Sequence, residues 1–122
     1  MNTTLIGKRG EAEAAAFLEK QGFSIIDAGN RSRYGEIDLI AQKDELIAFV
    51  EVKLRSSDTF SSACEAVDRK KIKKIITTAG QWIMERQIHT QFRFDVIEVY
   101  PGSDLTPGTA RINHLPNAFN FQ

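Results

Sequence analysis

The chain has a single cysteine, Cys64, so no internal disulfide can form and a cysteine-rich metal site is excluded with it. His89 and His114 are its only histidines, which with one cysteine makes a structural zinc site an unexpected outcome. No apolar run approaches the roughly 18 residues of a membrane span, so no membrane partner is expected. Near the start, Lys8, Arg9 and Glu11 flank only Leu5 and Ile6; a secretory core segment is missing, and a cytoplasmic protein is the expectation. Net charge is missing too, because sixteen basic and sixteen acidic side chains cancel. That balance argues against a protein that coats nucleic acid by bulk electrostatics. Internal repeats, linkers and low-complexity tracts are absent as well. The 122 residues suit one domain, 1–122, with a single core.

The charges that are present are unevenly placed. Residues 51–74 carry seven basic and four acidic side chains, against six and eight over residues 1–50. A local basic surface around Arg69, Lys70, Lys71, Lys73 and Lys74 therefore survives the overall neutrality.

Ile6 to Gln21 is alanine-rich, and Ala14, Ala15, Phe17 and Leu18 form an apolar stripe at helical spacing that ends at Gly22. The spacing predicts one helix. Phe23 to Asp27 reads as a short strand, followed by a loop from Ala28 to Arg33 with Gly29 and Asn30 as turn residues. Gly35 to Gln42 and Leu46 to Arg55 read as two strands of a hairpin about the polar Lys43-Asp44-Glu45. After a serine-rich loop, Asp68 is a possible N-cap for a second helix whose buried face is Ile72, Ile75, Ile76, Ala79 and Ile83. Phe92 to Tyr100 reads as a strand ended by Pro101-Gly102, with mostly loop beyond and one last short strand near Thr109 to Ile112. The order αβββαβ, with the hairpin packed between two helices, predicts a mixed α/β domain.

The hairpin carries the chemistry. Side chains alternate across a strand, so Glu36, Asp38 and Ile40 share one face of the first strand, and Phe49, Glu51, Lys53 and Arg55 share one face of the second. With an even loop parity the two sets lie on the same side of the sheet, and Asp38 stands opposite Glu51. Two carboxylates about 5 Å apart at Cβ repel and desolvate one another unless a cation or a proton sits between them. A hard divalent ion such as Mg²⁺ suits that pair, and Lys53 is placed to orient or deprotonate a water or to neutralise charge on a phosphate. The competing reading makes Glu36 and Asp38 the solvated face of an edge strand, with Glu51 and Lys53 merely exposed.

Glu11 lies three and seven residues before Ala14 and Leu18, on the apolar stripe of the first helix, where a carboxylate needs a partner. It is either a third acidic group beside Asp38 and Glu51 or a first-turn residue stabilised by the helix dipole. Lys71 stands at the margin of the second helix's apolar face, within reach of the site or of a phosphate, while its basic neighbours read as a solvated face. Arg93 and Asp95 alternate with Phe92, Phe94 and Val96, which predicts an ion pair on one strand face. Cys64, Trp82 and His89 show no nucleophile and base arrangement.

Gly10-Glu11, Asn30-Arg31, Gly35 to Ile40, Phe49 to Lys53 with Arg55, Lys71, and Arg93 to Val96 together resemble the YraN family of small bacterial proteins. The resemblance covers almost the whole chain. It implies a restriction-endonuclease-like fold similar to that of archaeal Holliday junction resolvases and other PD-(D/E)xK nucleases. On that resemblance Asp38, Glu51 and Lys53 match the nuclease motif, and Glu11 matches an acidic residue on the first helix of resolvase-like members. The implied activity is Mg²⁺- or Mn²⁺-dependent hydrolysis of structured or branched DNA, with Asp38, Glu51 and Glu11 on the metal. Lys71, Arg55 and Arg31 are the expected nucleic-acid contacts, and a homodimer would pair two active sites across a junction. A non-catalytic nucleic-acid- or protein-binding module that keeps the nuclease fold remains the other reading, since it fits the neutral charge.

Overall fold

A computed structural model describes residues 3–55, 69–100 and 110–119, with side chains from Gly10 onward. Helix α1 (Thr3–Lys20) leads into strands β1 (Ser24–Ser32), β2 (Gly35–Lys43) and β3 (Leu46–Leu54). Helix α2 (Arg69–Glu85) follows, and strands β4 (Gln91–Tyr100) and β5 (Arg111–Phe119) close the chain. The described order is thus αβββαββ, and the last strand, expected as a short one near Thr109 to Ile112, runs from Arg111 to Phe119. The serine-rich loop, Asp68, Cys64 and Pro101-Gly102 lie outside the described residues.

α1 stops where its sequence says it should. Gly22 adopts φ 97°, a conformation costly for any residue with a Cβ. This lets the Gly22 N–H reach the Glu19 carbonyl at 3.0 Å and the Phe23 N–H reach the Leu18 carbonyl at 3.0 Å, the paired bonds of a Schellman cap.

The five strands form one mixed sheet in the order β1-β2-β3-β4-β5. All neighbours are antiparallel except β3 and β4, which run parallel and are connected by a crossover that contains α2. α1 covers one face of the sheet with Ala14 and Leu18 against Leu39, Ala41, Ala48, Val50, Ile97 and Val99. α2 covers the other with Ile75, Ala79 and Trp82 against Ile37, Ile40, Ile47, Phe49, Phe94 and Val96. Each large apolar side chain removed from water in these layers contributes on the order of 1.5–3 kcal/mol, so the two helices are held mainly by burial. The result is the mixed α/β core, helices on both faces of the sheet, that a restriction-endonuclease-like fold requires.

Two strands run further than the turn residues suggest. β1 continues through Gly29 and Asn30 to Ser32 because the backbone pairing with β2 persists to Ser32↔Gly35, with Gly29 taking φ 65° and an irregularity between Ile25 and Asp27 absorbing the strain. β5 runs to Phe119 despite Pro116, which an edge strand tolerates, and its pairing slips between Phe94 and Val96 of β4.

Candidate functional site

The β2–β3 turn is two residues long, Asp44 and Glu45, with Lys43 paired to Leu46. Asp44 takes φ 54°, which a short polar side chain accepts more readily than a branched one. The even parity puts Ile40 against Phe49 and Leu39 against Val50. Leu39 and Val50 are the last pair of this register, and Asp38 and Glu51, which the alternation argument sets opposite one another, lie one residue beyond it. There the backbone ladder gives way to a side chain: the Val52 N–H donates to Asp38 Oδ2 at 2.8 Å. Strict alternation also fails at this point, since Ile37 joins Ile40 on the α2 side of the sheet.

Asp38 and Glu51 line one cavity of about 390 Å³ under α2, together with Gly35, Glu36, Lys70, Lys71, Lys74 and Ile75. Glu51 is 3% exposed and holds two ammonium groups, Lys71 Nζ at 2.5 Å and Lys53 Nζ at 3.6 Å from Oε1. Gly35 is needed for this closeness, because a Cβ there would stand 3.0 Å from Lys74 Cβ on α2.

Glu11 reaches Asp38 from α1. One oxygen each of Glu11, Glu36 and Asp38 lie within 4.8 Å of one another. Around an octahedral ion with ligands about 2.1 Å away, adjacent oxygens are about 3 Å apart and opposite ones about 4.2 Å, so these three hard oxygen donors are of the kind a divalent ion takes and would draw together on binding one. Glu36 thus joins Glu11 and Asp38 in this group, while Glu51, in the same cavity, is held by Lys71. The spacing of two residues from Asp38 on one strand face was the available signal for Glu36, but an exposed edge gave it no reason to be preferred.

The electrostatics follow from the crowding. Burial first, then the charge of Glu51 and more weakly that of Glu11, push the Asp38 carboxyl up to about 7, against the lowering effects of the Val52 N–H and Lys71. Burial and the adjacent Lys71 hold the Lys53 amine below its ordinary value. Burial also works against the Lys71 charge, but its hydrogen bond to Glu51 and the attraction of that carboxylate outweigh burial and raise it.

The remaining expected contacts are scattered. Arg55 Nε donates to Glu98 Oε2 at 3.0 Å, and Asn113 Nδ2 occupies the other Glu98 oxygen at 2.7 Å, so Arg55 is committed to a buried pair and not to the cavity. Arg31 is 79% exposed and sits 3.5 Å from Glu36, at the rim of the acidic group. Gly10 packs α1 onto Leu54 and Val52, so its small size serves helix packing. The expected Arg93–Asp95 pair is present at 2.9 Å on the opposite face of the sheet.

A family model described as "Uncharacterised protein family UPF0102" matches residues 10–99, a span that contains every residue of the cavity. A UPF0102 protein of Sulfurihydrogenibium sp. is 41% identical over 123 aligned positions, covering 100% of each chain. A UPF0102 protein of Clostridioides difficile is 43% identical over 120 positions, 98% of this chain and 100% of the relative. One of Vibrio parahaemolyticus is 44% identical over 103 positions, 82% of this chain and 85% of the relative.

Proposed function

Because the chain belongs to the UPF0102 family, which is the YraN family its motifs resemble, we propose that it is a metal-dependent endonuclease hydrolysing phosphodiester bonds in structured or branched DNA. The observation that carries this reading is the meeting of Glu11, Glu36 and Asp38 oxygens within 4.8 Å, next to two lysines.

Glu11, Glu36 and Asp38 would hold Mg²⁺ or Mn²⁺, and Glu51, in the same cavity, would join them once Lys71 leaves it; such an ion supplies Lewis-acid polarisation of a phosphate oxygen. Asp38 is fixed for this by the Val52 N–H, which leaves its other oxygen for the cavity. Lys53, held below its ordinary proton affinity by burial and by Lys71, is suited to accept a proton from an attacking water or to offset charge on the phosphate. Lys70, Lys71 and Lys74 line the same cavity and supply the positive rim that a phosphodiester backbone needs. Arg31 extends that rim, and a homodimer would set two such cavities on one branched substrate.

The test is direct. Four-way junction, flap, duplex and single-stranded DNA are incubated with Mg²⁺ or Mn²⁺; at least one is cut by the natural protein and none by Asp38→Asn. Survival of all four substrates overturns the reading. The balanced net charge favours one second reading, a nucleic-acid-binding module without turnover. Steeply salt-dependent DNA binding with no cleavage selects it.

A further inference from the structure

Glu51 presents an unusual competition. It is 3% exposed, and Lys71 Nζ lies on its Oε1 at 2.5 Å. Lys53 Nζ stands 3.6 Å from the same oxygen, but Lys53 is on the same strand two residues on and is only 21% exposed, so its head group has little freedom to leave. Lys71 differs, because it arrives from α2 and is 44% exposed on the border of the cavity. A half-exposed ammonium on a flexible stem leaves a buried carboxylate more readily where a second ammonium stays behind and an incoming cation replaces its charge.

A divalent cation that draws on Glu51 as well as Asp38 takes up the negative charge that holds Lys71 there. Once off Glu51, the Lys71 head group still borders the cavity, beside Lys70 and Lys74. Three ammonium groups on one cavity rim repel one another unless an anion joins them, and a phosphate group, with several acceptor oxygens, is an anion of that kind.

We propose that Lys71 is a built-in counter-ion of Glu51 that yields to a divalent cation and transfers to a phosphate group of the ligand, so that cation and phosphate bind cooperatively. This rests on the metal-dependent reading above and adds to it an order: Lys71 makes metal binding alone weak and makes it strong when phosphate is present. By linkage the same factor applies in both directions.

The experiment measures free Mn²⁺ by electron paramagnetic resonance for the natural protein, Lys71→Gln and Lys71→Arg, each with and without thymidine 3′,5′-bisphosphate. Without the bisphosphate, Lys71→Gln binds Mn²⁺ about tenfold more tightly than the natural protein, and Lys71→Arg does not. With it, the natural protein gains about tenfold in Mn²⁺ affinity, and Lys71→Gln gains little. Circular dichroism checks that each variant is folded. If Lys71→Gln loses its structure, the natural protein decides alone: no gain with the bisphosphate overturns the proposal. Equal Mn²⁺ affinity in the natural protein and Lys71→Gln overturns the transfer while leaving the metal site intact. No saturable Mn²⁺ binding in any of the three removes the metal site and this inference together.

Discussion

Asp38 on β2 and Asp95 on β4 are aspartates on opposite faces of one sheet, and their surroundings drive them in opposite directions. Asp95 is fully buried toward α1, yet every side of it is answered: Arg93 Nε donates to Oδ1 at 2.9 Å, the Asn117 N–H to the same oxygen at 2.9 Å, and His114 Nε2 meets Oδ2 at 2.8 Å. Burial alone would raise its pKa, but these three partners outweigh it and hold the carboxyl below the usual range. Asp38 has one backbone donor and a ring of other carboxylates, and it is pushed up to about 7. A buried acid whose charge is fully met serves the fold; one whose charge is left partly unmet is a place for a cation. The difference separates a structural network from a site without appeal to conservation.

The largest effect is expected from Asp95→Ala, which strands Arg93, His114 and the Asn117 N–H in a dry interior. About 3–4 kcal/mol of stability should be lost in urea denaturation, and a loss under 1 kcal/mol would mean that the network is ornamental.

Asp38→Asn should do the reverse. A carboxyl whose folded pKa is raised binds its proton more tightly when folded, so its contribution is present below about pH 4 and is lost as pH rises to about 7. Asparagine keeps an oxygen for the Val52 N–H and removes the charge. The variant should match the natural protein near pH 4 and exceed it by about 2 kcal/mol near pH 8, read from unfolding midpoints across that range. A constant difference at all pH values would show that Asp38 is answered as fully as Asp95.

Gly35→Ala should cost about 1 kcal/mol in the same denaturation experiment, because the added methyl meets Lys74 Cβ at 3.0 Å and α2 must shift off the cavity. A stabilised variant would show that α2 is not held close by this contact. The smallest change is expected from Arg31→Ala. An exposed pair with Glu36 contributes less than about 0.5 kcal/mol, so the unfolding midpoint should stay in place while DNA affinity falls and its salt slope shrinks by about one.

Much of this site could be read from residue order. The even parity of the Lys43 to Leu46 turn sets the pairing as far as Leu39 and Val50, Asp38 and Glu51 just beyond it line one cavity, and Glu11, on the helix with the Ala14 and Leu18 stripe, reaches Asp38. The third carboxylate was not legible, because Glu36 differs from a solvated strand residue only through where α1 packs, and packing is a tertiary fact. Lys71 was placed at the margin of its helix face, but its seat on Glu51 depends on how far α2 sinks toward Gly35. Arg55 shares the Glu51 strand face as expected; what sequence could not reveal is Glu98 beside it on β4, reached only through parallel pairing across a crossover. The same limit hid the reach of β1 and β5, where pairing with a neighbouring strand overrides Gly29, Asn30 and Pro116.

The carboxylates around Asp38 suit a divalent cation that the Asp95 network does not need. Anomalous diffraction from Mn²⁺-soaked crystals tests it most directly. A single strong peak among Glu11, Glu36 and Asp38, lost in Asp38→Asn crystals and with none at Asp95, is the predicted result. An ordered cavity with Lys71 on Glu51 and no Mn²⁺ peak at saturating metal would contradict it.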